Sequence, residues 1–141
     1  MSVYADSSLV VSLYITDEHS REARRRMARQ PRIWLTPLHR VEWSHAISQH
    51  LFRRTLSSQD ATQLYSEFEA DRSSRLWDEV PIPDSTYETA VDLAEKHGPR
   101  LNCRSLDTLH VACALELGAR EFWTFDQRQL QLARAAGLRT D

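Results

Sequence analysis

The sequence predicts an α/β domain built on a central parallel sheet of four to five short strands, with helices on both faces. Three observations predict it. Short apolar runs of strand composition alternate with amphipathic helical stretches, the βα pattern of a sheet covered on both sides. An acid closes the first of these runs (Asp6) and the last (Asp126), at the strand ends where open α/β sheets bind ligands. The length, 141 residues with 41% hydrophobic and 27% charged, suits one domain with a full core. No repeat, low-complexity run or linker divides it, so residues 1–141 read as a single unit.

The elements follow in order. Val3-Tyr4-Ala5 is a strand, and residues 7–14 a helix with Leu9, Val10, Leu13 and Tyr14 on its apolar side. Asp17 reads as the N-cap of a second helix reaching Arg29. Its arginines (21, 24, 25, 26 and 29) form either a solvated face or an edge that contacts phosphate. Ile33 to Thr36 is the second strand, ended by Pro37. Residues 38–54 are helical, with Val41, Ala46 and Leu51 turned to the core and Glu42 in the first turns. Ser57 caps a helix over 59–72 whose apolar side carries Ala61, Leu64, Tyr65 and Phe68. Residues 77–82 form a third, weaker strand. Asp84 caps a helix to His97 with Tyr87, Ala90, Val91 and Ala94 inside, which Gly98-Pro99 breaks. Ser105 then caps a helix with Leu106, Leu109, Cys113 and Leu117 at helical spacing, its other faces covered by Val111, Ala112 and Leu115. Gly118 stops it, residues 121–125 are the fourth strand, 127–136 the last helix, and 138–140 a short final segment.

Composition narrows the function classes. No apolar run approaches the roughly 18 residues of a membrane span. The first residues lack the basic region and cleavage site of a signal peptide. Two cysteines, Cys103 and Cys113, make no disulfide framework, which fits a cytoplasmic protein. The six histidines show no zinc spacing, and His110 on its apolar helix reads as a satisfied core residue. The net charge is −2, from 18 basic and 20 acidic residues. If four carboxylates hold a divalent cation, the remainder is 18 against 16, and the near-neutral total does not exclude a nucleic-acid partner.

Four acids stand where one crevice can gather them. Asp6 and Asp126 end the first and fourth strands, Glu42 lies early in the helix after the second, and Asp107 opens the helix before the fourth. Each has an ordinary reading: Asp6 and Asp126 as N-caps, Asp107 as complement to a helix dipole, Glu42 as a surface polar residue. Gathered without lysine partners, the four would repel and raise one another's pKa, a conflict that a divalent cation resolves. Hard oxygen ligands select Mg²⁺ or Mn²⁺. Such a centre suits phosphodiester hydrolysis and requires no side-chain nucleophile. Thr124 and Ser7 are placed to bind a metal water or phosphate, or to act as structural hydroxyls. Arg104 is close enough in sequence to Asp107 to reach a scissile phosphate, or else lies on the surface.

These residues resemble a family. Asp6-Ser7-Ser8-Leu9-Val10, Val41-Glu42-Trp43, Ser105 through Ala114 (SLDTLHVACA) and Phe122-Trp123-Thr124-Phe125-Asp126 look like the four successive motifs of PIN-domain ribonucleases, within it the VapC-type toxins of bacterial toxin–antitoxin pairs. The resemblance implies a PIN-like domain and a Mg²⁺- or Mn²⁺-dependent endoribonuclease that cuts RNA. It also implies a homodimer held inactive by a small antitoxin, with no membrane association. Carried over by position, Asp6, Glu42, Asp107 and Asp126 become the catalytic and metal-binding acids. Some relatives have a further acid after the fourth; here Gln127 and Arg128 stand there.

Other readings remain: a PIN-like scaffold that binds RNA or protein without cutting, or an RNA-maturation nuclease. A haloacid-dehalogenase-like phosphatase would need an aspartate where Ser8 stands. The apolar sides of 38–54 and 59–72 either form a groove for an antitoxin helix or pack on their own core.

Overall fold

The computed structural model describes residues 2–140. Strands β1 (Ser2–Ala5), β2 (Arg32–Leu35), β3 (Asp78–Glu79) and β4 (Glu121–Trp123) form one parallel sheet in the order β3-β2-β1-β4. The helices are α1 (Ser7–Ser12), α2 (Ser20–Met27), α3 (Pro37–Phe52), α4 (Ser58–Ser73), α5 (Thr86–Leu101), α6 (Ser105–Glu116) and α7 (Gln127–Ala135). The chain is therefore α/β with four strands and seven helices among the described residues. A single parallel bridge between Glu121 and Arg139 is the rudiment of a fifth strand.

Strand alternation divides the core in two. Val3, Ala5, Ile33, Leu35 and Trp123 point to one face, where Leu9, Val10, Ala23, Trp43, Ile47, Ala61 and Phe68 from α1 to α4 cover them. Tyr4 and Phe122 point to the other, against Leu93, Val111, Ala112, Cys113, Ala114, Leu132 and Ala133 from α5 to α7. Both faces are buried, as parallel strands require. Order reverses beside β1: the chain leaves it for β2 on one side and returns to β4 on the other. A crevice at the carboxyl ends of β1 and β4 follows from that reversal.

Several sequence expectations need correction. Gly98-Pro99 does not break α5. Pro99 lies in the last turn beside solvent, and the helix stops at Asn102, whose φ of 52° is left-handed and whose N–H bonds to the Gly98 carbonyl. The inward face of α5 is Thr86, Leu93 and His97, while Tyr87 and Val91 are about half exposed. On α3 the inward residues are His39, Trp43 and Ile47, and Val41 faces out. Leu106 likewise lies on the surface of α6. The N-caps of α2 and α6 are His19 and Arg104, not Asp17 and Ser105. β3 is two residues long where 77–82 was expected, and β4 ends at Trp123.

Trp43, Ile47, Ala61 and Phe68 of α3 and α4 pack on the domain's own core. Trp43 stacks on Phe68 at 4.3 Å, and Tyr14 meets both rings edge-on, while Phe52 and Tyr65 on the same two helices stay exposed. Nor is the arginine row of α2 uniformly solvated: Arg26 is buried over Trp123 and Phe125 and bonded to Glu22. Among the described residues, no helix is long and apolar enough to cross a membrane. Cys103 and Cys113 are free thiols, the latter buried.

Candidate active site

Asp6, Glu42, Asp107 and Asp126 all line one crevice of about 300 Å³, together with Ser7, Ser8, His19, Arg104, His110 and Phe125. Its floor is the carboxyl end of β1. Asp6 leaves that strand with its N–H bonded to the Trp123 carbonyl at 2.9 Å, so β4 fixes its backbone. Its carboxylate caps α1 by accepting the Leu9 N–H at 3.1 Å, and it accepts the Ser8 hydroxyl at 2.8 Å and the Thr124 hydroxyl at 3.0 Å. Burial raises the Asp6 carboxyl above its ordinary range, although His110 and these donors pull it down.

Glu42 arrives from the second turn of α3. The Ser7 hydroxyl donates to its Oε1 at 2.8 Å, and His110 Nε2 is hydrogen-bonded to the same oxygen. Its partial burial favours protonation. The bonds from His110 and Ser7 outweigh that, and Glu42 sits below the usual carboxylate range. His110 is in turn held through Nδ1 by the Tyr4 hydroxyl at 2.8 Å. Burial holds the Tyr4 phenol well above its normal pKa, so it remains a donor. Ser7 also lies 3.2 Å from His110 Nε2. This is not a nucleophilic triad, since serine and acid share one ring nitrogen where a relay needs them on opposite ones.

Asp107 is in the first turn of α6 and binds Arg104, whose Nε donates to Oδ2 at 2.8 Å. The Arg104 side chain is otherwise 77% exposed. Asp126 caps α7 by accepting the Gln129 N–H at 2.8 Å, and its own N–H donates to Thr124 at 3.0 Å. Gln129 also donates its side-chain amide to the Asp107 carbonyl at 3.2 Å, tying α7 to the start of α6.

The ordinary readings of Asp6 and Asp126 are thus correct, and compatible with the other one: both acids cap helices and both face the crevice. Mutual repulsion is not what shifts the carboxyls. Asp6 is raised by burial, and Glu42 is lowered. His110 is the residue that sequence reading undervalued. It is buried and satisfied as expected, but its partner is a crevice acid. The available signal was its spacing of three from Asp107, which puts the two on adjoining positions of one helix face. Thr124 and Ser7 act here as hydroxyl donors to Asp6 and Glu42.

The donor chemistry fits a hard divalent cation: four carboxylates and two serine hydroxyls, with a buried aspartate carrying no cationic partner bonded to it. The side chains are not drawn into a ligand cage, however; among the described residues no three histidine, cysteine or acidic groups are close enough to hold an ion, and Arg104 occupies Asp107.

Fold and crevice define a class: a doubly wound α/β protein with an acidic cleft at its switch point. The family model described as PIN domain matches residues 3–136, and the chain belongs to that family. Among solved structures it is similar to VapC20 of Mycobacterium tuberculosis, a sarcin-ricin-loop-cleaving toxin, at 20% identity over 96% of this chain and 95% of that one, with TM-score 0.68. It is similar too to VapBC2 of Rickettsia felis, seen bound to a DNA fragment from its promoter, at 13% identity over 100% and 98% of the two chains, with TM-score 0.71. Likeness at these identities concerns the fold. No curated protein sequence matches the chain.

Proposed function

We propose that this protein is a Mg²⁺- or Mn²⁺-dependent endoribonuclease acting as the toxin of a toxin–antitoxin pair. The observation that carries the reading is the convergence of Asp6, Glu42, Asp107 and Asp126 on one crevice of a PIN domain. The toxin assignment is supported by the structural likeness to a ribosomal-loop-cleaving VapC and to a VapBC complex. A cytoplasmic homodimer and a small antitoxin partner belong to the same proposal.

The four acids would hold the metal, with Asp6 as the buried anchor. When bound, the ion supplies Lewis-acid activation of the phosphodiester and of the attacking water. The chain supplies orientation. Ser8, Thr124 and the Leu9 N–H fix Asp6, while Ser7 and His110 fix Glu42 in its charged form. Arg104 stands at the rim, exposed, and is the cation available to a substrate phosphate.

Purified protein should cut single-stranded RNA with Mn²⁺ or Mg²⁺ and stop with chelator, and Asp107→Asn should remove that cleavage without unfolding the domain. A well-folded wild type that cuts no RNA with either ion overturns the reading. Growth arrest on expression, relieved by a small co-expressed protein, separates a toxin from an RNA-maturation nuclease. The Arg104–Asp107 pair favours a second reading, a PIN scaffold that binds RNA without cutting; binding with no cleavage would select it.

A further inference from the structure

One wall of the crevice is neither acidic nor part of the network around Asp6. His19 and Phe125 lie face to face, ring centroids 4.3 Å apart and planes 7° from parallel. Both rings line the same crevice as the four acids. Phe125 roots the stack. It packs partly buried against the core, with the Arg26 guanidinium carbon 5.4 Å from its centroid. His19 is the outer layer, its side chain 41% exposed.

We propose that the His19–Phe125 stack is a platform for an unpaired nucleobase of the substrate, next to the phosphate presented to the acids. This rests on the RNA-cleaving reading above and deepens it by naming the two side chains that receive a base beside the cleaved phosphate.

Three features argue for it. An imidazole backed by a phenyl ring presents a flat π-surface to solvent, and base–aromatic stacking is how proteins hold single-stranded RNA without reading its sequence. A phosphodiester in the crevice necessarily brings its flanking bases to the walls, and this stack is the aromatic wall. The platform is also set in place beforehand. The His19 N–H donates to Asp17 at 2.8 Å, and Asp17 accepts the Ser12 hydroxyl at 2.7 Å, so the α1–α2 turn is anchored to α1. Phe125 sits between Thr124, bonded to Asp6, and Asp126, which caps α7. Base platform and acids therefore share one frame, and stacking involves little ordering of the protein.

The test is binding without turnover, in chelator, using short single-stranded oligoribonucleotides that carry 2-aminopurine or one abasic site at successive positions. His19→Ala should weaken binding about tenfold and abolish the quenching of 2-aminopurine at one position. His19→Phe should restore both. With wild-type protein, removing the base at that same position should weaken binding by a similar factor, and His19→Ala should then add nothing. Should His19→Ala fold poorly, wild type and His19→Phe still test the proposal: the position of strongest 2-aminopurine quenching and the position of largest abasic loss must coincide in both proteins, and a mismatch overturns the platform. Unchanged affinity and quenching in His19→Ala, or equal losses on intact and abasic RNA, overturn the platform; if wild type still cuts RNA with Mn²⁺, the nuclease reading survives. Quenching that depends on His19 without cleavage under Mn²⁺ supports the platform and removes the nuclease. Wild type that binds no RNA in chelator overturns the platform, and if it also cuts none with Mn²⁺ or Mg²⁺ the nuclease reading falls with it.

Discussion

The crevice has two walls of opposite construction. On the inner wall, Asp6 and Glu42 are each held by several donors that come from three different segments: Ser7, Ser8 and Leu9 of α1, His110 of α6 and Thr124 after β4. On the outer wall, Asp107 has one exposed arginine and Asp126 one backbone N–H on its carboxylate. The inner acids are thus set by the folding of the whole domain, and the outer pair by local helix starts. Preorganisation is concentrated where charge is buried, and freedom to adapt is left where a substrate enters.

Four experiments break or sharpen that contrast. The largest effect belongs to Asp6→Asn. The variant keeps an acceptor for the Leu9 N–H and should fold, while RNA cleavage falls about a hundredfold or more. Its stability should move the other way. The folded pKa of Asp6 lies above its unfolded value, so the folded state holds the proton more tightly, and metal-free stability falls as pH rises from about 3.9 through the raised folded pKa. Asn removes that fall. A melting temperature at pH 7 that is lower than wild type in chelator would contradict it.

Next comes acid. His39 props the inner wall from beneath: its Nε2–H donates to the Ala5 carbonyl at 2.7 Å, and its Nδ1 accepts the Thr36 N–H at 3.0 Å, which fixes the neutral tautomer. Burial, with His110 nearby, pushes its pKa down to about 3. The unfolded chain takes up that proton near pH 6.5, so the stability His39 contributes is complete above that value. It is lost progressively as pH falls toward 3. Thermal melts across this window should lose several kcal/mol, and His39→Gln should flatten the curve. A profile identical in the two proteins would remove His39 from the account.

His110→Gln tests whether the inner wall positions Glu42. Loss of the imidazole leaves Tyr4 and Glu42 short of partners, with a stability cost of about 1–3 kcal/mol and a rate loss of about 10- to 100-fold. A destabilised variant with an unchanged cleavage rate would mean that His110 is structural only. The smallest effect on stability should come from the outer wall. Arg104→Ala removes an exposed ion pair and should change stability by less than about 0.5 kcal/mol, while RNA binding weakens and its salt dependence becomes shallower. For the same reason Asp107→Asn should bring no gain in stability from relieved repulsion, since Arg104 is already paired with Asp107.

The same contrast explains what the sequence made legible. The parallel sheet, the helix count and the acids were readable because βα alternation and position at strand ends are local signals. Facing was not. The inward sides of α3 and α5 carry His39, His97 and Thr86, polar residues that are buried, while Val41, Tyr87 and Val91 point outward. A reading that sends apolar residues inward inverts such faces. His110 escaped for a related reason: its chemistry depends on Glu42, 68 residues away in sequence, which only the fold brings near at the carboxyl end of β1.

Gln129 carries a last consequence. One residue takes its backbone N–H to the Asp126 carboxylate and its amide to the Asp107 carbonyl. The starts of α6 and α7, which carry the two outer acids, are therefore braced through a single side chain. Descendants of this chain that alter residue 129 would keep the backbone N–H that Asp126 accepts and lose only the amide that braces the start of α6. The placement of Asp107 can thus loosen across generations without any change in the acids themselves.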